Sequence, residues 1–340
     1  MRRGSVWTKT FLFFTLLTLI SATAPAQKKP KEKEKAKEKA ASLPALLWRD
    51  PGDAAQLDLI YGAGGKEHAP DPNATYTFLE EDMKGTSPKF DVKDNQGAHW
   101  KVKMGEEPQS ETASTRLLYA AGYLVDEDYF LPAIKVSGLR KLKRGEQFIS
   151  PDGTAHIVRL KRRDKEEKKI ENWDWFDNPF LGTREFNGLR AMMALINNWD
   201  LTTENNKVYE MDGERHYVAS DLGASFGNTG EVFTRSKSKV RGYEGSKFIH
   251  NETGDSVDFV MHSRPFFLDW FQHANYRMRT QIEQITKNIP RADAKWLGQM
   301  LSRLSDEQIR DCFRAAGYGS EEVEEYTNVV KKRIAELNGL

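Results

Sequence analysis

Asn198-Trp-Asp-Leu-Thr-Thr-Glu-Asn-Asn206 and, further on, Ser220-Asp-Leu-Gly-Ala-Ser-Phe-Gly227 are the two stretches around which the rest of the chain can be ordered. The first sets Asp200 and Asn205 in one loop with Asp-x₄-Asn spacing, and the second sets Asp221 in an Asp-x-Gly turn. Each has a plain local account. Asp200, Thr202 and Thr203 are good helix-capping types, Asn205-Asn206 suits a turn, and Asp221 suits turn initiation. Their order says more, because a strand ending in Lys103 and a helix carrying Glu111 precede them.

Working outward, residues 75–104 predict three antiparallel strands: Tyr76-Thr-Phe-Leu79, Lys89 to Asp94 and His99 to Met104, with turns at Gly85-Thr-Ser-Pro88 and Asn95-Gln-Gly97. In the last strand Trp100, Val102 and Met104 share one face, and Lys101 and Lys103 share the other. A helix is expected over 109–122, with Ser110 or Glu111 near its start and Gly122 as its stop. A hairpin is expected at 147–160 around Pro151-Asp-Gly153. The nearly all-charged run Lys161–Lys169 reads as a solvated loop or helix edge. Spacing of Phe186, Leu189, Met192, Met193 and Ile196 predicts a helix over Arg184–Asn198. Short strands follow near Lys207–Tyr209 and His216–Ala219, a polar stretch fills 231–262, and the last 75 residues read as helical, with capping signatures at Ser305 and Ser320. Strands in front and helices behind, joined near 170, predict an α+β chain of two lobes.

These pieces resemble the protein-kinase-like superfamily. Asn198–Asn206 is similar to its catalytic loop, and Ser220–Gly227 to the metal loop of secretory-pathway and lipid-kinase-like members. Gly85-Thr-Ser-Pro-Lys-Phe-Asp-Val with Trp100-Lys-Val-Lys103 resembles the nucleotide loop and lysine strand of HipA-like and phosphatidylinositol-kinase-like proteins. The resemblance implies a kinase-like fold with an N-lobe over 46–136, a C-lobe over 137–340 and ATP with Mg²⁺ between them. It implies Lys103 on the phosphates with Gly85, Ser87 and Lys89 beside it, and Glu111 as the partner of Lys103. Asp200 is then the base for a hydroxyl acceptor, and Asn205 and Asp221 hold the metal. Lys101 is an alternative to Lys103. The sequence departs from the pattern at Trp199, where Arg or His is usual, at Thr202, where Lys is common, and in having no G-x-G-x-x-G.

Composition narrows the alternatives. With 340 residues, 39% hydrophobic and 30% charged residues and one cysteine, the chain can bury a full core without disulfides. Its net charge of +1 divides into +3 for residues 1–26, +4 for 27–41 and −6 for 42–340, so the body gives no cause to expect nucleic acid. Residues 1–26 read as a cleavable signal peptide: Arg2, Arg3 and Lys9, an apolar run Phe11–Ile20, then Ala24-Pro-Ala26. Export to a periplasm or the exterior is expected. Residues 27–45 follow as a Lys/Glu-rich spacer, whose glutamates interrupt the positive field a membrane surface would need. Cys312 is expected to be a buried packing residue, Trp173 and Trp175 inter-lobe packing, and Tyr61-Gly-Ala-Gly-Gly65 a flexible approach.

Two further readings stand beside the phosphotransferase. One is a kinase-fold binding or scaffold protein without turnover. The other is a serine hydrolase, because Gly223-Ala-Ser225-Phe-Gly227 matches G-x-S-x-G, with Asp258 or Asp269 and His262 or His273 to complete a triad. The histidines show no zinc spacing.

Overall fold

The computed structural model describes residues 42–163, 168–229, 235–261 and 273–340, with the side chains of 273–276 left aside. The expected signal peptide and nearly all of the spacer lie outside them. Alternation of apolar and polar residues builds the front part from strands β1 (Ala45–Leu46), β2 (Thr75–Glu81), β3 (Lys89–Lys93) and β4 (His99–Met104), followed by helix α1 (Glu107–Ala120). Strands β5 (Asp128–Ser137) and β6 (Thr154–Arg163) then close a barrel in the order β2-β3-β4-β6-β5, with β5 parallel to β2. Trp100, Val102 and Met104 fill the barrel with Phe90, Val92, Val158 and Leu160. This is the period-two face expected from the sequence.

Several expectations are corrected here. The boundary at 136 falls inside the barrel, because β6 pairs with both β4 and β5 and carries the strand-built part to Arg163. Strand β5 was not foreseen. Pro132 lies within it, and a proline ordinarily argues against a strand interior. The expected hairpin at 147–160 keeps its turn, with Ser150 N–H donating to Thr154 O at 2.8 Å, but its first arm is a single bridge and β6 pairs along β5 instead. The run from Lys161 is no solvated loop at its start, since Lys161 belongs to β6 and is 5% exposed. The spacer also ends sooner than 45, because Ala45 pairs with Arg215. The Gly62–Gly64 turn is packed rather than flexible: a Cβ on Gly62 would meet the Arg116 guanidinium at 2.5 Å, and Tyr129 Oη donates to Gly65 O.

The rear part begins with β7 (Lys168–Glu171), α2 (Arg184–Leu195) and the hairpin β8 (Asn206–Met211) and β9 (Glu214–Ala219), giving a sheet of order β1-β9-β8-β7. A short helix α3 (Val240–Glu244) and strands β10 (Ile249–Thr253) and β11 (Ser256–Phe259) structure the stretch read as merely polar. Helix α4 (His273–Ile285), strand β12 (Ile289–Pro290) and helices α5 (Arg291–Leu301), α6 (Asp306–Ala315) and α7 (Ser320–Gly339) complete it. The Ser305 capping box is formed, and Cys312 is fully buried, its Sγ on Gln308 O at 3.4 Å. Helix α7 starts at Ser320 with Gly319, not Ser320, in the cap position. Trp173 and Trp175 meet edge-on at 4.8 Å and pack on Phe186, in a core cluster that also takes in Ala113, Leu117 and Leu118 of α1. Among the described residues no helix is long and apolar enough to cross a membrane.

Helix α2 stops at Leu195, short of the expected Asn198, because Asn197 takes a left-handed φ of 53°. Arg333 of α7 secures that end. Its guanidinium, 2% exposed, donates to Ala194 O, Leu195 O, Asn197 Oδ1, Tyr243 O and Ser246 O. Arg333→Met strands these acceptors and is expected to cost roughly 3–5 kcal/mol in urea unfolding. A loss under about 1 kcal/mol would show that water replaces the guanidinium.

Candidate active site

The barrel register sets the site. Lys103 on β4 lies opposite Lys89 of β3 and Arg159 of β6, while Lys101 lies opposite Asp91 and Lys161. Both rows point away from the apolar interior, which puts five basic side chains on the wall facing the rear part. Such a wall needs carboxylates from elsewhere. Lys101 takes Asp82 and Asp91, and Lys161 takes Asp126. Arg159 reaches Glu111 at 2.8 Å and Asp128 at 3.5 Å.

Lys103 Nζ, whose residue is 1% exposed, contacts Glu111 Oε2 at 2.8 Å, Asp221 Oδ1 at 2.5 Å and Glu107 Oε2 at 3.0 Å. The structure therefore brings the predicted Lys103, Glu111 and Asp221 together and ties Lys101 elsewhere. Burial disfavours the ammonium, but Glu111, Asp221 and Glu107 outweigh it and hold its pKa above the usual lysine range. Glu107 was not foreseen. It sits one turn before Glu111, in a helix that starts at 107 rather than 109, and Lys103 and Lys237 overcome its burial to hold it down to about 2. The glycine of Asp-x-Gly is what admits it: a Cβ on Gly223 would meet Glu107 Cβ at 2.6 Å, an approach that the structure shows and the local sequence does not.

Hydroxyl groups hold α1 against the Asp221 loop. Ser110 Oγ donates to Gly223 O at 2.6 Å, and Ser87 Oγ from the expected nucleotide loop donates to Glu107 Oε2 at 2.7 Å. Gly85 and Lys89 line the same cleft, which also takes in Lys103, Glu111, Asn205 and Asp221 and encloses about 680 Å³. Asp221 adopts a left-handed φ of 53°. Phe226 anchors its loop among Tyr243, Phe313 and Tyr326, at ring distances of 5.3, 5.2 and 5.7 Å.

The Asp200 loop is laced to that of Asp221. Asn198 Oδ1 accepts Asp200 N–H, Asn205 Nδ2 donates to Asp200 O at 2.7 Å, and Ser220 N–H donates to Asn205 O at 3.0 Å. Trp199 N–H donates to Ala224 O, and the Arg235 guanidinium lies 4.2 Å from the Trp199 ring centre. Burial raises the Asp200 carboxyl above its ordinary value, and the charges of Asp221 and Glu107 push the same way.

Behind Arg159, Asp128 is 1% exposed and neither of its carboxylate oxygens accepts a hydrogen bond among the described residues. Burial lifts it to about 7 against the pull of Arg159. The unfolded value is about 3.9, so the folded state gains a proton that the unfolded chain releases. The stability this brings is full below about pH 4 and lost as pH rises through 7. In urea unfolding, wild type is expected to lose ground to Asp128→Asn between pH 5 and pH 8. A pH-independent gap would contradict it.

The hydrolase reading does not fit this geometry. Ser225 is fully buried, no helix follows it through Thr229, and Asp258 Oδ1 accepts the Asn288 N–H. Asp269 and His262 lie outside the described residues, as does the side chain of His273.

No protein-family model matches the chain, and no curated protein matches its sequence. Among solved structures the fold is similar to the Helicobacter pylori proinflammatory kinase CtkA, at 11% identity over 78% of this chain and 99% of that one, TM-score 0.35. It is also similar to the Golgi casein kinase with Mn/ADP bound, at 8% identity over 92% and 86%, TM-score 0.44. The chain is an α+β protein in which a barrel presents a lysine to a helix glutamate, and the Asp221 loop, laced to the Asp200 loop, closes on the pair.

Proposed function

We propose that the chain is a phosphotransferase that moves the terminal phosphoryl group of a metal-bound phosphoanhydride to a hydroxyl acceptor, ATP with Mg²⁺ being the donor expected from the sequence. The observation that carries this is a buried Lys103 gripped by Glu111 and Asp221 at the wall of the cleft. The donor set fits a divalent ion: Glu107, Glu111 and Asp221 each offer an oxygen within 4.8 Å of the others, and Asn205 lines the same cleft with its amide nitrogen already used on Asp200 O. Asp221 and Asn205 would hold the ion, with Glu107 a further donor, and the bound ion would supply positive charge to the phosphate oxygens.

The chain's own groups account for the remainder. Lys103 holds phosphate oxygens, and Glu111 with Arg159 fixes Lys103 in place. Asp200, kept more basic than a solvent-exposed aspartate by burial, accepts the acceptor's proton. Positioning and charge, rather than covalent chemistry, do most of the catalysis in such a transfer.

The test is incubation of the full chain with γ-labelled ATP and Mg²⁺, scoring label on protein or small hydroxyl acceptors beside a thermal-shift titration. Transfer together with a shift is expected. A shift without transfer or hydrolysis would leave a binding protein, and neither would end the reading. We propose in addition that residues 1–26 direct export, which N-terminal sequencing of the mature protein checks: Gln27 should be its first residue.

A further inference from the structure

We propose that the cleft recognises its donor as a polyanion and not as a nucleoside, so that the ligand class it takes is a metal-bound chain of phosphates with no requirement for an attached base. This rests on the phosphoryl-transfer reading and names the donor for it. Among the described lining residues Lys and Arg number nine and Asp and Glu five. Four of the nine are the paired cations Lys101, Lys103, Arg159 and Lys161. The other five, Lys84, Lys89, Arg163, Lys169 and Lys207, make no side-chain hydrogen bond or salt bridge with a described residue. Lys89 and Lys207 are only partly exposed, and although Asp82, Asp126 and Asp221 lie near enough to act on them, neither is in direct contact with a described carboxylate, so an arriving anion offsets part of their desolvation.

The described lining residues offer a base almost nothing. A purine ring is flat and largely apolar and needs aliphatic or aromatic faces against it. No Leu, Ile, Val, Met, Phe or Trp is among the described lining residues, and the one aromatic, Tyr209, is 3% exposed with the Lys161 ammonium 5.6 Å from its ring centre. The period-two rows of β3, β4 and β6 explain the bias, since each inward apolar residue forces a neighbour outward and those neighbours are mostly Lys and Arg. In the transfer, the acceptor oxygen forms a bond to the terminal phosphorus while the anhydride P–O bond breaks. The shortened chain leaves with the bonding electrons, and the acceptor's proton goes to Asp200.

The test is calorimetric binding to the full chain in Mg²⁺ with ATP, inorganic tripolyphosphate and adenosine as probes. Tripolyphosphate is expected to bind no more than fivefold more weakly than ATP, and millimolar adenosine to displace neither. Lys207→Gln should weaken both phosphate ligands by the same factor, at least fivefold. ATP binding more than fivefold tighter than tripolyphosphate, displacement by adenosine, or no tripolyphosphate binding would each overturn the proposal. The two readings fail separately: tripolyphosphate bound without transfer to any acceptor sinks the enzyme reading alone, and ATP-driven transfer with strong preference for ATP sinks this one alone.

Discussion

Lys103→Met is expected to lower both stability and phosphoryl transfer more than any other single change at the cleft. Methionine keeps the length of the side chain and fills its volume, so packing on β4 survives. What is lost is the positive charge among Glu107, Glu111 and Asp221, at a residue that is 1% exposed. Breaking a buried ion pair from one side typically costs about 3–5 kcal/mol, because the partner is left charged and poorly hydrated. Arg159 and Lys237 still reach Glu111 and Glu107, which keeps the loss toward the lower end. In a chain of this size that is a fall of roughly 4–5 °C in melting temperature. Transfer should fall by about 10³ or more, the size of effect expected when one charge-stabilising donor is removed. A Lys103→Met protein within about 1 kcal/mol of wild type, or retaining a tenth of its transfer rate, would remove Lys103 from the centre of the site.

Asp221→Asn separates charge from backbone. Asp221 adopts a left-handed φ, a conformation that asparagine accepts nearly as well as aspartate and alanine does not. The asparagine variant should therefore fold and still lose about 10³ in transfer, together with any metal-dependent thermal shift. Burial alone would raise the Asp221 carboxyl, but Lys103 outweighs it and holds the pKa below the ordinary aspartate range. Its contribution to stability is thus present above about pH 3.9 and lost as pH falls further. Stability at pH 7 should run wild type, then Asn, then Ala, with Ala lower by about a further 1 kcal/mol for the backbone. Equal stability of the two variants would show that the left-handed turn is not held there, and retained metal response in Asp221→Asn would move the ion to other groups.

The strands and helices whose residues face one apolar core were legible because their periodicity is local. Trp100, Val102 and Met104 alternate in sequence and all point into the barrel. The same alternation put Lys103 on the opposite face, and Asp200, Asn205 and Asp221 could be read because their spacing within loops is short. Glu107 was not legible, since nothing in Gly105-Glu-Glu-Pro108 shows that Gly223 approaches it. Nor was the burial of Arg159 and Lys161. A charged run reads as solvated unless its partners are known, and here they are Asp126, Asp128 and Glu111, placed by β5 and α1 rather than by neighbouring positions. Strand β5 and the extent of the barrel beyond 136 share one cause of illegibility, because the strand that closes the barrel contains a proline and so does not read as a strand in sequence.

Arg333 gives the chain an order of assembly. Asp200 follows closely on a helix end whose carbonyls are held by a guanidinium more than 130 positions later in the sequence, in the last helix. A polypeptide leaving the ribosome has every proposed catalytic group in hand by Asp221, yet the loop bearing Asp200 lacks its anchor until the final helix has emerged and docked. During synthesis the cleft thus stays unfinished while the protein is still being made, and a chain cut short before Ser320 would carry the full set of reactive side chains without the brace that sets one of them in place.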